Sequence, residues 1–204
     1  MRTSRLEAFS DGVLAIIITI MVLELAIPEG EQFTDLLGVT GSGLLSYLLS
    51  FIYVGIYWNN HHHLFQLTKR VSGPVLWANL HLLFWLSLFP FTTAWMDSSG
   101  FARAPVMTYG IVLLAAATAY ALLQRVIMAS HPENSSLRDA IGRDTKAKVS
   151  LALYLGGVAA AWFIGDEPVL PTVLAAACYV AAALLWFLPD KRIERAMREH
   201  AAED

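Results

Sequence analysis

The chain has 204 residues, of which 56% are hydrophobic and only 15% are charged, and its mean hydropathy is +0.53. Soluble domains are less apolar and carry about 25% charged residues, so this composition excludes an ordinary soluble enzyme. The net charge is −3, and the single cysteine, Cys178, excludes an intrachain disulfide and a metal site built from cysteines.

Long apolar blocks divide the chain into six predicted membrane-spanning helices. Crossing the hydrocarbon core takes about 20 apolar residues, and the blocks do not alternate as β-barrel strands do. The first block lacks a small-residue cleavage site, so we expect a helix there and no cleavable signal peptide. We predict an all-α polytopic membrane protein, one domain over 1–204, with helices near 5–28, 37–60, 74–96, 105–129, 148–165 and 168–188 and a short tail at 190–204.

Lysine and arginine positions predict the orientation. With six crossings and an inner N-terminus, every one of the 14 basic residues except Arg103 falls on the cytoplasmic side, which is the positive-inside pattern. We therefore expect both termini in the cytoplasm and the chain in the cell membrane. Acidic residues gather on the outer side. They either fill the outer loops or form a vestibule that concentrates cations, with Glu24 and Glu29 at its mouth.

Polar residues at the inner ends of the first three helices fall at one depth. Because such groups are costly inside a membrane, we expect them to meet in a hydrogen-bonded network. Asp11 has an alternative role as a helix cap, and His81 is read as an interior hydrogen-bonding group. The residues are Arg5, Ser10 and Asp11 in the first helix, Trp58, Asn59, Asn60 and His61 to His63 in the second, and Trp77, Asn79 and His81 in the third.

No pattern of catalytic residues emerges from the sequence. The three consecutive histidines at 61–63 point about 100° apart on a helix, which disfavours one shared metal ion. There is no glycine-rich phosphate loop and no HExxH motif. We expect no enzyme, no cofactor and no metal beyond a permeating ion.

One face of the first helix carries a stripe of bulky apolar side chains. Ile16, Ile20 and Leu23 have the spacing i, i+4, i+7, with Thr19 at the edge of the stripe. By itself, this pattern favours ordinary helix packing or lipid contact.

The stretch RLEAFSDG, from Arg5 to Gly12, fits the pattern R-x-x-x-F-S-D at the start of a first membrane helix. It resembles the signature of the transmembrane protein 175 family, potassium-permeable channels of lysosomes with shorter prokaryotic relatives. The resemblance extends to the six crossings, the inner termini and the Trp-Asn-Asn-His cluster at 58–61. It implies a homotetramer around one pore, lined by the first helix and without a re-entrant pore loop.

The resemblance also implies residue roles. It places Ile16, Thr19, Ile20 and Leu23, repeated in four chains around one axis, at a hydrophobic constriction that would gate by dewetting. The expected function is a potassium-permeable cation channel whose partners are potassium ions, the lipid bilayer and copies of itself, with no nucleic acid. The alternative is a proton-coupled secondary transporter that uses Asp11, Glu24 and His81. The implied structural network joins Arg5, Phe9, Ser10 and Asp11 to Trp58, Asn59, His61, Trp77 and His81.

Overall fold

The structure, a computed structural model, describes residues 3–68, 70–131, 145–163 and 169–187, apart from the side chains of residues 163 and 187. These ranges contain seven α-helices and no strand. The predicted tail at 190–204 and most of the inner connection between the fourth and fifth predicted helices lie outside the described residues. The helices are α1 (Thr3–Leu23), α2 (Phe33–Gln66), α3 (Gly73–Leu86), α4 (Phe89–Ser98), α5 (Arg103–Ser130), α6 (Thr145–Phe163) and α7 (Val169–Phe187).

Five helical units are long and apolar enough to cross a membrane: α1, α2, α3 together with α4, α5, and α7. The remaining predicted crossing, the fifth at 148–165, corresponds to α6, which is 19 residues long and carries Lys146 and Lys148 in its first turn; it is not one of the five. The predicted all-α membrane class is thus confirmed for the described ranges.

Three helix boundaries differ from the predicted ones. Helix α1 ends at Leu23 instead of near residue 28; Pro28 accounts only for Ile27, because a proline disfavours helix in the residue before it. Helix α2 continues to Gln66, because buried residues on its last turns pack into the bundle. The third crossing is divided between Leu86 and Phe89. Pro90 lies in the first turn of α4, where its missing N–H leaves no hydrogen bond unmade.

Helix α5 holds the bundle together, and it packs against α3, α4, α6 and α7. Its inner face includes Leu113, Ala116, Ala119 and Leu123, all with no exposed surface. Small side chains let helix backbones approach closely, which matters in a membrane because lipid is as apolar as leucine and association depends on packing.

Tyr179 of α7 is wedged between two glycines. A Cβ atom at Gly110 of α5 would overlap the Tyr179 hydroxyl, and one at Gly157 of α6 would lie 2.5 Å from Tyr179 Cε1. The Tyr53 hydroxyl of α2 donates a hydrogen bond to the Tyr179 carbonyl, at 2.5 Å. One residue therefore joins four helices, and glycine is required where its ring passes the backbones of α5 and α6.

Helix α1 lies at the side of this bundle, against α2, α3 and α4. Its contacts use one face only. The buried residues on that face recur every three or four positions, as one helical stripe requires. The opposite face of α1 is uncovered in the single chain. The buried stripe consists of Leu6, Ser10, Leu14, Ile17 and Met21.

The glycine contacts of Tyr179 lead to a stability prediction. We expect Gly157→Ala to lower the free energy of unfolding by about 1–3 kcal/mol, the usual cost of overpacking a core. The neighbouring Gly156→Ala is the matched control, since no atom lies within 4 Å of its added Cβ. Melting temperatures of the detergent-solubilised protein provide the measurement. Equal melting temperatures for the two variants would contradict the proposed packing.

Candidate functional site

The uncovered face of α1 carries the predicted apolar stripe. In the single chain, Ile16 is 59% exposed, Ile20 41% and Leu23 80%, whereas Ile17, one position along, is 3% exposed. One residue step turns the helix by about 100°, so the two faces follow directly from the sequence once the buried one is fixed. The stripe residues are therefore free to contact something other than their own chain.

Thr19 adds a polar group to the edge of this stripe. Its side chain is exposed, and its hydroxyl donates a hydrogen bond to the Ile16 carbonyl at 2.9 Å. The donor is thus used within the helix. Lone pairs on the hydroxyl oxygen remain available to a further donor or to a cation.

The opposite face of α1 is fixed by a buried chain of hydrogen bonds. The Asn79 amide nitrogen of α3 donates to Ser10 Oγ at 3.0 Å, and the Ser10 hydroxyl donates to the Leu6 carbonyl at 3.0 Å. Asn79 Oδ1 lies 2.8 Å from His61 Nε2 of α2, which must then carry the proton. Ser10, Asn79 and His61 are at most 1% exposed. A single amide therefore links the first three helices.

His61 keeps one nitrogen outside this chain of bonds. Its Nδ1 is buried and has no hydrogen-bond partner among the residues that the structure describes. The imidazole ring lies against Phe65, with the ring centroids 4.4 Å apart. Since Nε2 carries the proton, Nδ1 is an acceptor that receives no hydrogen bond. A buried acceptor without a donor costs less free energy than a buried N–H without an acceptor.

Two further contacts tie α1 to α2 side by side, and both involve acidic groups of α1. Trp58 Nε1 donates to Asp11 Oδ1 at 3.0 Å, and His62 Nδ1 pairs with Glu7 Oε1 at 2.6 Å. From the first contact to the second, the residue on α1 is four positions earlier and the residue on α2 is four positions later. This is the pattern expected for antiparallel helices. The Trp58 and His62 rings stack, with an interplanar angle of 14°.

The structure does not bring every expected residue into this network. Arg5, Phe9, Asn59 and Trp77 are exposed, and none of their side chains makes a hydrogen bond within the described ranges. His81 is exposed as well, and it accepts a hydrogen bond from Trp85 of the same helix at 3.0 Å. The physical reason is the rotation of α1 about its own axis. Ser10 and Asp11 are bonded to α3 and α2, so Arg5 and Phe9 lie on the face that points away from these helices.

Of the residues that make these contacts, Asn79 was predicted from the sequence and Glu7 was not. Asn79 belonged to the predicted polar layer, and an amide within an otherwise apolar helix was the available signal. Glu7 was not singled out. Its spacing of four from Asp11, matched by the spacing of four between Trp58 and His62, could have indicated the pair.

Acidic side chains lie near the connection from the C-terminal end of α1 to α2. Glu24 and Glu29 are exposed. Asp97 of α4 accepts a hydrogen bond from the Ser42 hydroxyl at 2.7 Å, and the Thr40 hydroxyl donates to the Ala26 carbonyl at 2.7 Å. In the described part of the chain, no three His, Cys, Asp or Glu residues are arranged to hold a metal ion.

Comparison with known proteins decides the family. The profile of the family described as endosomal/lysosomal potassium channel TMEM175 matches residues 5–90. A protein of Chryseobacterium sp. (strain P1-3), named a potassium channel, is 52% identical over 200 residues, which cover 98% of this chain and 100% of that relative. The chain belongs to the TMEM175 family.

Two other TMEM175 proteins show how far the likeness extends. The crystal structure of a lysosomal potassium-selective channel TMEM175 homolog from Chamaesiphon minutus matches with a TM-score of 0.71 and 26% identity, over 90% of this chain and 95% of that one. The human protein named endosomal/lysosomal proton channel TMEM175 is 34% identical over 112 residues, 50% of this chain and 22% of its own length. The likeness thus covers all of the Chryseobacterium sequence, nearly all of the Chamaesiphon structure and a small part of the human sequence.

The central position of Asn79 can be tested by substitution. Asn79→Leu keeps the approximate size of the side chain but leaves the buried His61 N–H without an acceptor, which costs about 1–3 kcal/mol. We expect a lower melting temperature and a smaller yield of folded protein. The matched control is Asn59→Leu, at an exposed amide on α2, which should behave as the wild type. Equal loss in both variants would show that the buried amide has no special role.

Proposed function

We propose that this TMEM175 family member is a potassium-permeable cation channel of the cell membrane, with both termini in the cytoplasm. The observation that carries the proposal is the two-faced first helix. One face is bonded to α2 and α3 through Ser10 and Asp11, and the opposite face presents an uncovered apolar stripe. The bacterial relative that matches over its full length is named a potassium channel, which supports the same function.

The stripe of Ile16, Thr19, Ile20 and Leu23 is proposed as the pore constriction. Branched apolar side chains around a narrow axis resist wetting. An ion therefore crosses only when water fills the constriction or when the ion sheds part of its hydration shell. The Thr19 hydroxyl places a polar oxygen at the edge of this otherwise apolar constriction. Lipid contact alone would also accept apolar residues here, but it gives no reason for a threonine among them.

The pore requires more than one copy of the chain. In a single chain the stripe faces outward, so a closed ring of copies is needed to surround an axis, and cyclic homo-oligomers are the usual solution. We propose a homotetramer with α1 innermost. At the outer end of each α1, Glu24 and Glu29 would raise the local concentration of cations.

The transporter alternative receives less support from the geometry. Asp11 is bonded to Trp58, and His81 is bonded to Trp85 on the exposed face of α3. Glu24 follows Asp11 by 13 residues, which is about 20 Å along a helix. These three groups do not share one site through which a proton and a substrate could be coupled.

The assembly is open to direct measurement. Light scattering coupled to size-exclusion chromatography gives the protein mass of the detergent-solubilised particle. We expect the mass of four chains of 22.5 kDa each. A particle with the mass of one chain would contradict the proposed pore.

The stripe can be tested by a polar substitution. Ile16→Asn would place four amides at the constriction, which favours wetting, and we expect a higher conductance and weaker discrimination between potassium and sodium. The measurement is the current with potassium on one side and sodium on the other, from which the reversal potential is read.

The adjacent residue provides the control for that experiment. Ile17 is buried against the bundle, so Ile17→Asn should reduce the amount of folded protein and leave the reversal potential of the remaining channels unchanged. If Ile17→Asn shifts the reversal potential while Ile16→Asn does not, the pore lies on another face of α1.

A further inference from the structure

Arg5 lies at the inner end of the exposed stripe of α1. The exposed positions Arg5, Phe9, Gly12 and Ile16 follow one another at intervals of four, three and four residues, which is the spacing of a single helix face. Phe9 is 53% exposed and Ile16 59%. The guanidinium group therefore belongs to the same face as the proposed constriction.

The acidic groups of α1 are directed elsewhere. The helix has three charged residues, Arg5, Glu7 and Asp11. Glu7 is paired with His62, and Asp11 accepts a hydrogen bond from Trp58, so both carboxylates are held against α2. The stripe face of α1 thus carries one positive charge and no negative charge. The sequence shows three charges at this end, but only the structure shows that they are separated by face.

We propose that Arg5 forms a ring of positive charge at the cytoplasmic mouth of the pore and makes inward potassium current larger than outward current. This inference rests on the proposed function. A positive ring lowers the potassium concentration at the inner mouth, from which outward current is drawn, and a potential of about one kT changes that concentration roughly threefold. At the outer mouth the exposed Glu24 has the opposite sign.

Distance separates this role from that of the constriction. Arg5 precedes Ile16 by 11 residues, about 16 Å along the helix, and charges in solution at physiological salt are screened over about 8 Å. Arg5 therefore changes the supply of ions at the mouth and leaves the constriction unaltered. Substituting it changes rectification, and the potassium-to-sodium reversal potential stays at the wild-type value.

The test uses inside-out patches with equal potassium on both sides, and it compares the currents at equal positive and negative voltages. We expect the wild type to pass roughly twofold more inward than outward current at 0.15 M salt. Arg5→Gln should bring the ratio close to one, Arg5→Lys should retain it, and Arg5→Glu should reverse it. Arg70→Gln is the matched control, because Arg70 is an exposed arginine of the same cytoplasmic side that is not part of α1; it should retain the ratio.

A measurement on the wild type alone covers the case in which Arg5→Gln does not assemble. At about 1 M salt the screening length falls to about 3 Å, and rectification caused by a charged mouth should largely disappear. Rectification that persists at 1 M salt, or that survives in Arg5→Gln, overturns the inference. Equal currents in a conducting wild type also overturn it and leave the proposed channel intact, whereas a wild type without any potassium current overturns the channel itself.

Discussion

The rotation of α1 about its own axis is the constraint on which the candidate site depends. Apolar contacts alone fix it weakly, because lipid and the other helices are equally apolar to a leucine or an isoleucine. Polar bonds fix it strongly, because an unsatisfied buried polar group costs several kcal/mol. Ser10, held by Asn79, and Asp11, held by Trp58, therefore decide which face of α1 is buried. Ile17 then faces the bundle, and Ile16 is left free.

The R-x-x-x-F-S-D motif consequently divides between two faces of one helix. Ser10 and Asp11 bond to the bundle, while Arg5 and Phe9 lie on the exposed side. The resemblance implied one network that includes all four residues. The spacing alone excludes that for a single bonded face, since Phe9 and Ser10 point about 100° apart. One continuous motif thus contains residues that fix the rotation of the helix, Ser10 and Asp11, and residues of the face that this rotation leaves exposed, Arg5 and Phe9.

The sequence predicted the helical crossings well, because long apolar blocks follow directly from the thickness of a membrane. The predicted third crossing ran unbroken over 74–96, although Pro90 marked a possible break; the place of the division was not predicted, because Ser87 and Leu88 fit a membrane helix as well as a break. The sequence did not predict the extension of α2 beyond residue 60 either, since hydropathy counts the histidines there as polar while the fold buries His61. Asn79 was visible as a polar residue, but its partners depend on how three helices are rotated relative to one another, and that information is not local.

Arg5 connects the insertion of the protein with its proposed conduction. In the proposed topology the N-terminus is cytoplasmic, and a basic residue near the start of the first helix then helps to fix the orientation of the chain. The same residue lies on the face that would surround the pore, where a positive charge opposes the approach of a cation. Glu7 and Asp11 are close in sequence, yet both carboxylates are held by α2, and releasing them would free the helix to rotate. The positive charge of Arg5 therefore lies on the exposed face of α1 without a carboxylate of that helix beside it, and the proposed asymmetry of the pore rests on the bonds that hold the helix in place.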